Sequence, residues 1–208
     1  MGKWYLIRHG ESEWNKEGRI QGHADVGLSE LGRRQVELLS ARMAGESIDA
    51  AYSSDLSRAV DTATGALGDS GVPLVTGTDL REFSYGEWEG LTMQEVQDQD
   101  PELFAARFTR GDNAFSAPGG ETSADILKRV QRFLEGVEKR HSPDENLLIV
   151  GHGGSMRALA LCLLGMADES FWKLRIGNTS VSIISNQSRG RVLELWNDMH
   201  HLAGIDEG

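Results

Sequence analysis

Arginine and histidine residues follow three short apolar runs in the chain. Arg8 and His9 follow the first run, Arg58 comes soon after the second, and His152 directly follows another. Splitting a phosphate ester requires an in-line nucleophile, donors for the equatorial oxygens and an acid for the leaving oxygen. His9 could attack phosphorus directly, while Arg8, Arg58 and protonated His152 would bind the oxygens. Each residue alone is more often structural, so the prediction of an oxyanion site depends on finding them together.

A glycine follows each of the two histidines. Gly10 and Gly153 lack side chains where the backbone would approach an anion. The helix that we expect beyond each glycine would add amide donors at its N-terminus. Because this set already supplies positive charge, we expect no metal ion and no cofactor. The pair His200 and His201 has no further ligands at metal-site spacing, so we expect it to be a detail of the tail.

The elements that must position these residues alternate between strand and helix. Continuous apolar runs predict strands at 3–8, 48–53 and 146–150, and the pattern of 180–185 and 191–196 predicts a terminal hairpin. This order predicts a three-layer α/β sandwich, with helices on both faces of a mostly parallel sheet. Ligands of such sheets bind outside the carboxyl ends of the strands, where all three basic segments would meet.

Capping residues and helical periodicity predict where the helices lie. Ser29 begins a helix that reaches Met43, with Leu31, Leu38 and Leu39 roughly on the same face as Met43. Asp55 would cap the next helix. Thr122 and Asp125 form a capping-box pattern before the clearest helical period in the chain. A last helix should cover 155–164.

We interpret residues 1–208 as a single domain with an inserted lid at about 92–120. That segment combines short helical patterns with the polar, glycine-rich string GDNAFSAPGG. Loops of this length without regular structure usually serve a function. No internal repeat or linker divides the chain.

Composition excludes several classes of protein. With 39% hydrophobic and 25% charged residues, the chain is typical of a globular domain. The longest apolar stretch, 158–165, falls short of the ~18 residues of a membrane helix, and polar residues interrupt the N-terminus early, so we expect a cytoplasmic protein. Cys162 lies in an apolar run and is expected to be a buried thiol.

The net charge of −11 argues against nucleic acid or an anionic membrane as a partner. It does not exclude a small anion, because distant surface charges are screened by salt. The expected partner is therefore a small phosphorylated metabolite. A homodimer is left open.

Five motifs in order resemble the histidine phosphatase superfamily, in the branch of cofactor-dependent phosphoglycerate mutases and their phosphatase relatives. They are LIRHGESEWN at 6–15, SSDLSRAVDTA at 53–63, LREFSYGEWEG at 80–90, GGET at 119–122 and VGHGGSMRAL at 150–159. The body is similar to short bacterial enzymes, including α-ribazole phosphatase and broad-specificity phosphomonoesterases.

The resemblance implies a role for each matching residue. His9 would be the phosphorylated histidine, with Arg8, Arg58 and His152 in the phosphate pocket. It also implies that Glu82 is the proton donor and that Asn15 is a further phosphate contact.

Residues close to these motifs remain open to several interpretations. Without the family pattern, the sequence does not distinguish Glu82 from Glu87 or Glu89. Gln21 and Gly22 are placed at the entrance. His23 is either an exposed loop histidine or a residue that tunes the substrate.

Three functions fit the motifs. The first is a hydrolase that passes the phosphoryl group to water, the second a mutase that returns it to glycerate, and the third a silent binding relative. A full catalytic set disfavours the third. Mutases of this family use a longer insertion rich in arginine and lysine, whereas 92–120 contains only Arg107 and Arg110 against five acidic residues. We therefore favour the phosphatase.

Overall fold

One mixed sheet of six strands forms the centre of the computed structural model, which describes residues 1–109 and 116–205. The strands are β1 (Lys3–Arg8), β2 (Ala50–Ser54), β3 (Leu74–Gly77), β4 (Leu147–Gly151), β5 (Val181–Gln187) and β6 (Gly190–Asp198). Their order is β3-β2-β4-β1-β5-β6. The first four are mutually parallel, and β5 and β6 are antiparallel additions at one edge. The expected sheet and terminal hairpin are confirmed; β3 was not predicted.

Helices cover both faces of this sheet. The helices in the described residues are α1 (Glu13–Lys16), α2 (Glu30–Met43), α3 (Ser57–Leu67), α4 (Met93–Gln99), α5 (Pro101–Phe104), α6 (Ser123–Glu138) and α7 (Gly153–Leu164), of which α2, α3, α6 and α7 pack on the sheet. Because side chains alternate along a strand, Trp4 and Leu6 pack with α6 and α7. Tyr5 and Ile7 pack with α2 and α3 on the opposite face. This is the expected three-layer α/β sandwich.

The register of the sheet brings the two histidine motifs together. Arg8 on β1 lies opposite Gly151 on the parallel neighbour β4, so His9 and His152 both follow the carboxyl ends of adjacent strands. The His9 amide also donates to the Gly151 carbonyl oxygen at 2.9 Å. On the other side of β4, β2 leads into α3, which carries Arg58.

Two of the three predicted helix caps are confirmed. Ser29 Oγ accepts from the Gly32 amide at the start of α2, and Thr122 and Asp125 form a reciprocal capping box at the start of α6. The prediction for Asp55 was wrong. Leu56 is the N-cap of α3 and makes no side-chain cap bond, while both Asp55 carboxylate oxygens accept from Arg81.

The segment between Thr92 and Gly120 contains α4, α5 and one π-helical turn at Ala105–Thr109. Arg110, most of the predicted polar loop and the side chain of Arg107 lie outside the described residues. That 92–120 is a lid within a single domain therefore stays a prediction. In the described part of the chain, no helix has the length and apolarity needed to cross a bilayer.

The buried face of α2 differs from the predicted one at two leucines, since Leu31 is half-buried and Leu38 is exposed. Gly32, Gln35, Leu39 and Met43 face inward, at spacings of three or four residues. Leu38, predicted on that face, is 37% exposed, whereas Leu39 is fully buried. One helical step turns a side chain by about 100°, which places Leu38 outside the buried stripe.

We expect Leu39→Ala to lower the free energy of unfolding by ~2–5 kcal/mol, because truncating a buried leucine leaves a cavity. Leu38→Ala, one residue away on the same helix, should change it by no more than ~0.5 kcal/mol. Urea unfolding followed by tryptophan fluorescence measures both variants. Equal losses would show that α2 is packed by a different face.

Candidate active site

His9 lies at the carboxyl end of β1, on the wall of a small cavity, and is 2% exposed. Its Nδ1 is 2.7 Å from the Gly10 carbonyl oxygen. Since a carbonyl only accepts, Nδ1 carries the proton and Nε2 keeps its lone pair in the neutral ring. The hydrogen bond therefore selects the tautomer in which Nε2 has the free lone pair that a nucleophile requires.

The surroundings of His9 keep its ring neutral. Burial lowers the pKa of His9 well below 6.5, and the positive charges of Arg8 and Arg58 lower it further. The hydrogen bond to Gly10 acts in the opposite direction but does not compensate. In the ligand-free site, His9 is a neutral imidazole in the neutral pH range.

His152 lies against His9, with ring centroids 4.9 Å apart. It is fully buried, and neither ring nitrogen has a hydrogen-bond partner among the described residues. Burial lowers the pKa of His152 well below 6.5, and His9, Arg58 and Arg8 add to the effect. The surroundings of His152 thus favour the neutral ring, and the expected imidazolium requires an anion beside it.

The two predicted phosphate-binding arginines are held by main-chain carbonyl oxygens. Arg8 Nη1 donates to Ile176 O at 2.9 Å, and fully buried Arg58 donates to Ala24 O at 2.7 Å and Gly22 O at 3.0 Å. The Nε atoms of both arginines are buried and have no partner among the described residues. Burial lowers the pKa of Arg58 to about 10, which still leaves it charged at neutral pH.

The structure distinguishes the three glutamates that the sequence left open. Glu82 lines the cavity, and its carboxylate accepts from the Gly154 amide at 2.9 Å, at the start of α7. Glu89 Oε1 instead accepts from the amides of His23 and Tyr85. Glu87 is exposed. Of these three, Glu82 is the residue placed to exchange a proton with a ligand.

Asn15 lines the cavity as predicted, with the orientation of its amide fixed by neighbours. Its Oδ1 accepts from the Ser12 amide at 3.2 Å and from Asn178 Nδ2 at 3.4 Å, so Nδ2 remains available as a donor. Asn178 also donates to the His9 carbonyl oxygen at 2.9 Å. Sequence reasoning missed Asn178, which comes well after the last recognised motif.

Gln21 and Gly22 also line the cavity, but their bonds connect them to other protein groups. Gln21 Oε1 accepts from Ser12 Oγ at 2.7 Å. Gly22 has a φ of +54°, and a Cβ there would lie 2.1 Å from Glu89 Oε1. Since its carbonyl oxygen holds Arg58, Gly22 acts on the phosphate pocket through that arginine.

Glycines at the start of α7 make room for Glu82. A Cβ on Gly154 would lie 2.2 Å from Glu82 Oε1, so no other residue fits there without moving the carboxylate. Gly153 and His152 do not line the cavity; a Cβ on Gly153 would lie 3.5 Å from Glu82 Oε2. That Gly153 leaves room for an anion stays a prediction, and the amide that binds the Glu82 carboxylate is that of Gly154, which was not predicted.

The cavity has a volume of about 170 Å³ and two chemically different ends. We call the part lined by Arg8, His9, Arg58 and Glu82 the inner end. We call the part lined by Arg19, Ile20, Tyr85, Met93 and Phe108 the outer end. A small anion would occupy the inner end and its alcohol the outer one.

Other residues singled out in the sequence do not line this cavity. His23 is half-buried and not exposed, and its Nε2 lies 3.0 Å from the carbonyl oxygen of Glu82, a cavity residue. Cys162 is half-buried, and burial raises its pKa to about 11, as expected of an inert thiol. His200 and His201 form part of a 3₁₀ turn, and no group of three potential metal ligands occurs among the described residues.

Comparison with known proteins identifies the family. A model of the histidine phosphatase superfamily (branch 1) matches residues 4–199. Phosphoserine phosphatase 1 of Hydrogenobacter thermophilus is 36% identical over 202 residues, covering 97% of this chain and 95% of that protein. Other relatives are named probable phosphoglycerate mutase GpmB.

Solved structures agree with the sequence relatives. The phosphoserine phosphatase of Entamoeba histolytica, in complex with 3-phosphoglyceric acid, has a TM-score of 0.82 at 30% identity and covers 97% of this chain and all of that one. The α-ribazole phosphatase of Shigella flexneri has a TM-score of 0.85 at 30% identity and covers 94% and 96% of the two chains.

These matches confirm the α/β fold and the phosphomonoester hydrolase activity that the motifs indicate. The order of the motifs, the meeting of their residues at one edge of the sheet and the family match lead to the same conclusion. The chain belongs to the histidine phosphatase superfamily, branch 1.

Proposed function

We propose that this enzyme hydrolyses monophosphate esters of small hydroxy acids by way of a phosphohistidine at His9. The observation that carries the proposal is the neutral, Gly10-bonded His9 beside two guanidinium groups whose Nε atoms have no partner among the described residues. A dianionic phosphoryl group would supply those missing partners. It would also be held against the nucleophile.

The proposed reaction has two steps. In the first, His9 Nε2 attacks phosphorus, the bond from phosphorus to the ester oxygen breaks, and Glu82 gives its proton to the departing alkoxide. In the second, water attacks the phosphohistidine while the Glu82 carboxylate accepts a proton, which releases inorganic phosphate and restores His9. Protons and electron pairs balance over the cycle.

Arg8, Arg58 and His152 are proposed to bind the phosphoryl oxygens during both steps. Their combined charge opposes the negative charge that spreads over these oxygens. His152 would take up a proton as the dianion binds, because a neighbouring anion raises the pKa of an imidazole. A metal ion is then not needed to neutralise the phosphate, so we propose a metal-independent reaction.

Hydrolysis is preferred to mutase chemistry because of the charges around the outer end of the cavity. A mutase must retain a doubly phosphorylated intermediate, whose second phosphate would face α4 and α5. In that region Glu95, Asp98 and Glu102 are exposed, and Arg19 there is already 3.6 Å from Glu95. These carboxylates disfavour a second dianion, so a bisphosphate would leave the site before it returned a phosphoryl group to His9.

Arg19 supports the proposed substrate class. It is a cation at the outer end of the cavity, where a substrate carboxylate would compete with Glu17 and Glu95 for its guanidinium group. Phosphoserine and 3-phosphoglycerate, which the names of the relatives contain, are both small acids of this kind.

A cytoplasmic location and a homodimer also belong to the proposal. A single cysteine leaves the chain independent of internal disulfides, which is typical of reducing compartments. Val192 and Leu193 on the edge strand β6 are 40% and 38% exposed, and a second copy would cover them.

Rapid-quench experiments with phosphate-labelled 3-phosphoglycerate test the function. We expect one acid-labile, base-stable label per chain, which then appears as inorganic phosphate faster than as 2-phosphoglycerate. His9→Ala should abolish both the label and turnover. Label at His152, or mutase turnover faster than phosphate release, would contradict the proposal.

The low pKa values of His9 and His152 predict that neither imidazole takes up a proton in the neutral pH range. Because a lowered pKa favours the neutral form, the His9 and His152 imidazole NMR signals should not titrate between about pH 6 and 8 without ligand. Added orthovanadate should shift His152 to its protonated form. The variants His9→Ala and His152→Ala assign the signals, and titration of either ring near pH 6.5 in the free enzyme would refute the assignment.

Glu82→Gln tests the proton donor. We expect phosphorylation of His9 by an alkyl phosphate to slow by ~10²–10⁴-fold, because a general acid contributes about this much when the leaving oxygen is basic. p-Nitrophenyl phosphate needs little help from an acid and should be affected far less. Single-turnover burst rates are required, because the later hydrolysis of the phosphohistidine is common to all substrates. Equal slowing of the alkyl and the p-nitrophenyl ester would show that Glu82 is not the proton donor.

A further inference from the structure

The Glu121 side chain of the GGET motif forms a half-buried ion pair that the proposed reaction does not use. Arg129, on α6 and 8% exposed, donates Nε to Glu121 Oε1 at 2.9 Å and Nη2 to Glu121 Oε2 at 3.0 Å. Two parallel bonds of this kind fix the plane and the direction of both groups. Neither residue lines the active-site cavity.

The other N–H groups of Arg129 donate hydrogen bonds to the backbone of the segment that contains Glu82. Arg129 Nη1 donates to the Asp79 carbonyl oxygen at 2.8 Å, and Nη2 donates to the carbonyl oxygen of Glu82 itself at 2.6 Å. One guanidinium group thus binds the carbonyl oxygens of two residues of this segment, Asp79 and Glu82.

Glu121 holds the same segment from the other side of Glu82. Its Oε2 accepts from the Ser84 amide at 2.9 Å, and its own amide donates to the Ser84 carbonyl oxygen at 2.8 Å. His23 Nε2 lies 3.0 Å from the Glu82 carbonyl oxygen and 4.0 Å from Glu121 Oε2. Arg129 and Glu121 therefore hydrogen-bond the backbone before, at and after Glu82, at Asp79, Glu82 and Ser84.

We propose that Glu121 and Arg129 are positioning residues for the proton-transfer step of Glu82. They fix its backbone, while Gly154 at the start of α7 holds its carboxylate. Misplacement of a reacting group by about 1 Å can cost ~10²-fold in rate, so an anchored backbone matters to the transfer. This inference rests on the proposed role of Glu82.

The proposal predicts an effect that depends on the leaving group. Glu121→Gln and Arg129→Gln should slow phosphorylation by an alkyl phosphate at least ~10-fold more than phosphorylation by p-nitrophenyl phosphate, as loosening a general acid would. Arg129→Lys retains one charged donor and should fall between Arg129→Gln and the wild type. Loss of folded enzyme lowers the amplitude of the burst and leaves its rate unchanged, so the rates report only on folded sites.

Arg191→Gln provides the matched control. Arg191 on β6 pairs with Glu138, the last residue of α6, far along that helix from Arg129. Among the described residues, neither Arg191 nor Glu138 contacts the segment that contains Glu82. This variant removes an arginine–glutamate pair and should leave the ratio of alkyl to aryl rates unchanged.

Glu82→Gln, measured in parallel, separates the two levels of the proposal. If Glu82→Gln discriminates between leaving groups but Glu121→Gln and Arg129→Gln slow both substrates equally, the positioning role is wrong and the function stands. If Glu82→Gln does not discriminate, the proton donor itself is wrong. In the double variant Glu82→Gln/Glu121→Gln, the second change should add less than ~2-fold to the alkyl rate, because both act through one proton; full additivity would overturn the inference.

Discussion

Positive charge packed next to two neutral imidazoles is the constraint on which the rest of the site depends. Arg58 is fully buried, and the partners of Arg8 and Arg58 are main-chain carbonyl oxygens, which offer dipoles and no net negative charge. Burying a charge costs free energy, so a buried guanidinium group is tolerated only where the surrounding structure supplies hydrogen-bond partners for it. Burial lowers the pKa values of both histidines, the charges of Arg8 and Arg58 lower them further, and the same charges make the pocket complementary to a dianion.

The parallel pairing of β1 with β4 makes this packing possible. Because Arg8 lies opposite Gly151, the residues after each strand project from the same edge, and the rings of His9 and His152 come within 4.9 Å. A shift of one residue in this register would turn the side chains of one strand to the opposite face and separate the two layers of the core. The core and the active site therefore depend on the same register.

Sequence reasoning reached the phosphate pocket because strand ends, adjacent glycines and imidazoles leave a local pattern. It placed Ser29 and Thr122 at helix starts for the same reason. It failed where the deciding contact is distant in the chain: Asp55 pairs with Arg81 and does not cap a helix, and Gly154 holds Glu82 from 72 residues away. Only the family resemblance distinguished Glu82 from Glu87 and Glu89.

The nucleophile and the proposed acid are held by different parts of the fold, and this division bears on substrate choice. His9, Arg8 and Arg58 lie at a strand end and at the start of α3, next to the central strands of the sheet. Glu82 lies on an irregular segment held by side chains from α6 and the first amides of α7. The outer end, with Met93 and Phe108, belongs to a third part around α4, where Ile20, Trp88, Val96 and Ala117 form a small hydrophobic cluster separate from the two clusters on the sheet. A change in the outer end can alter which alcohol fits without moving the phosphate pocket. The relatives are named for substrates as different as phosphoserine and α-ribazole phosphate, which have the phosphoryl group in common.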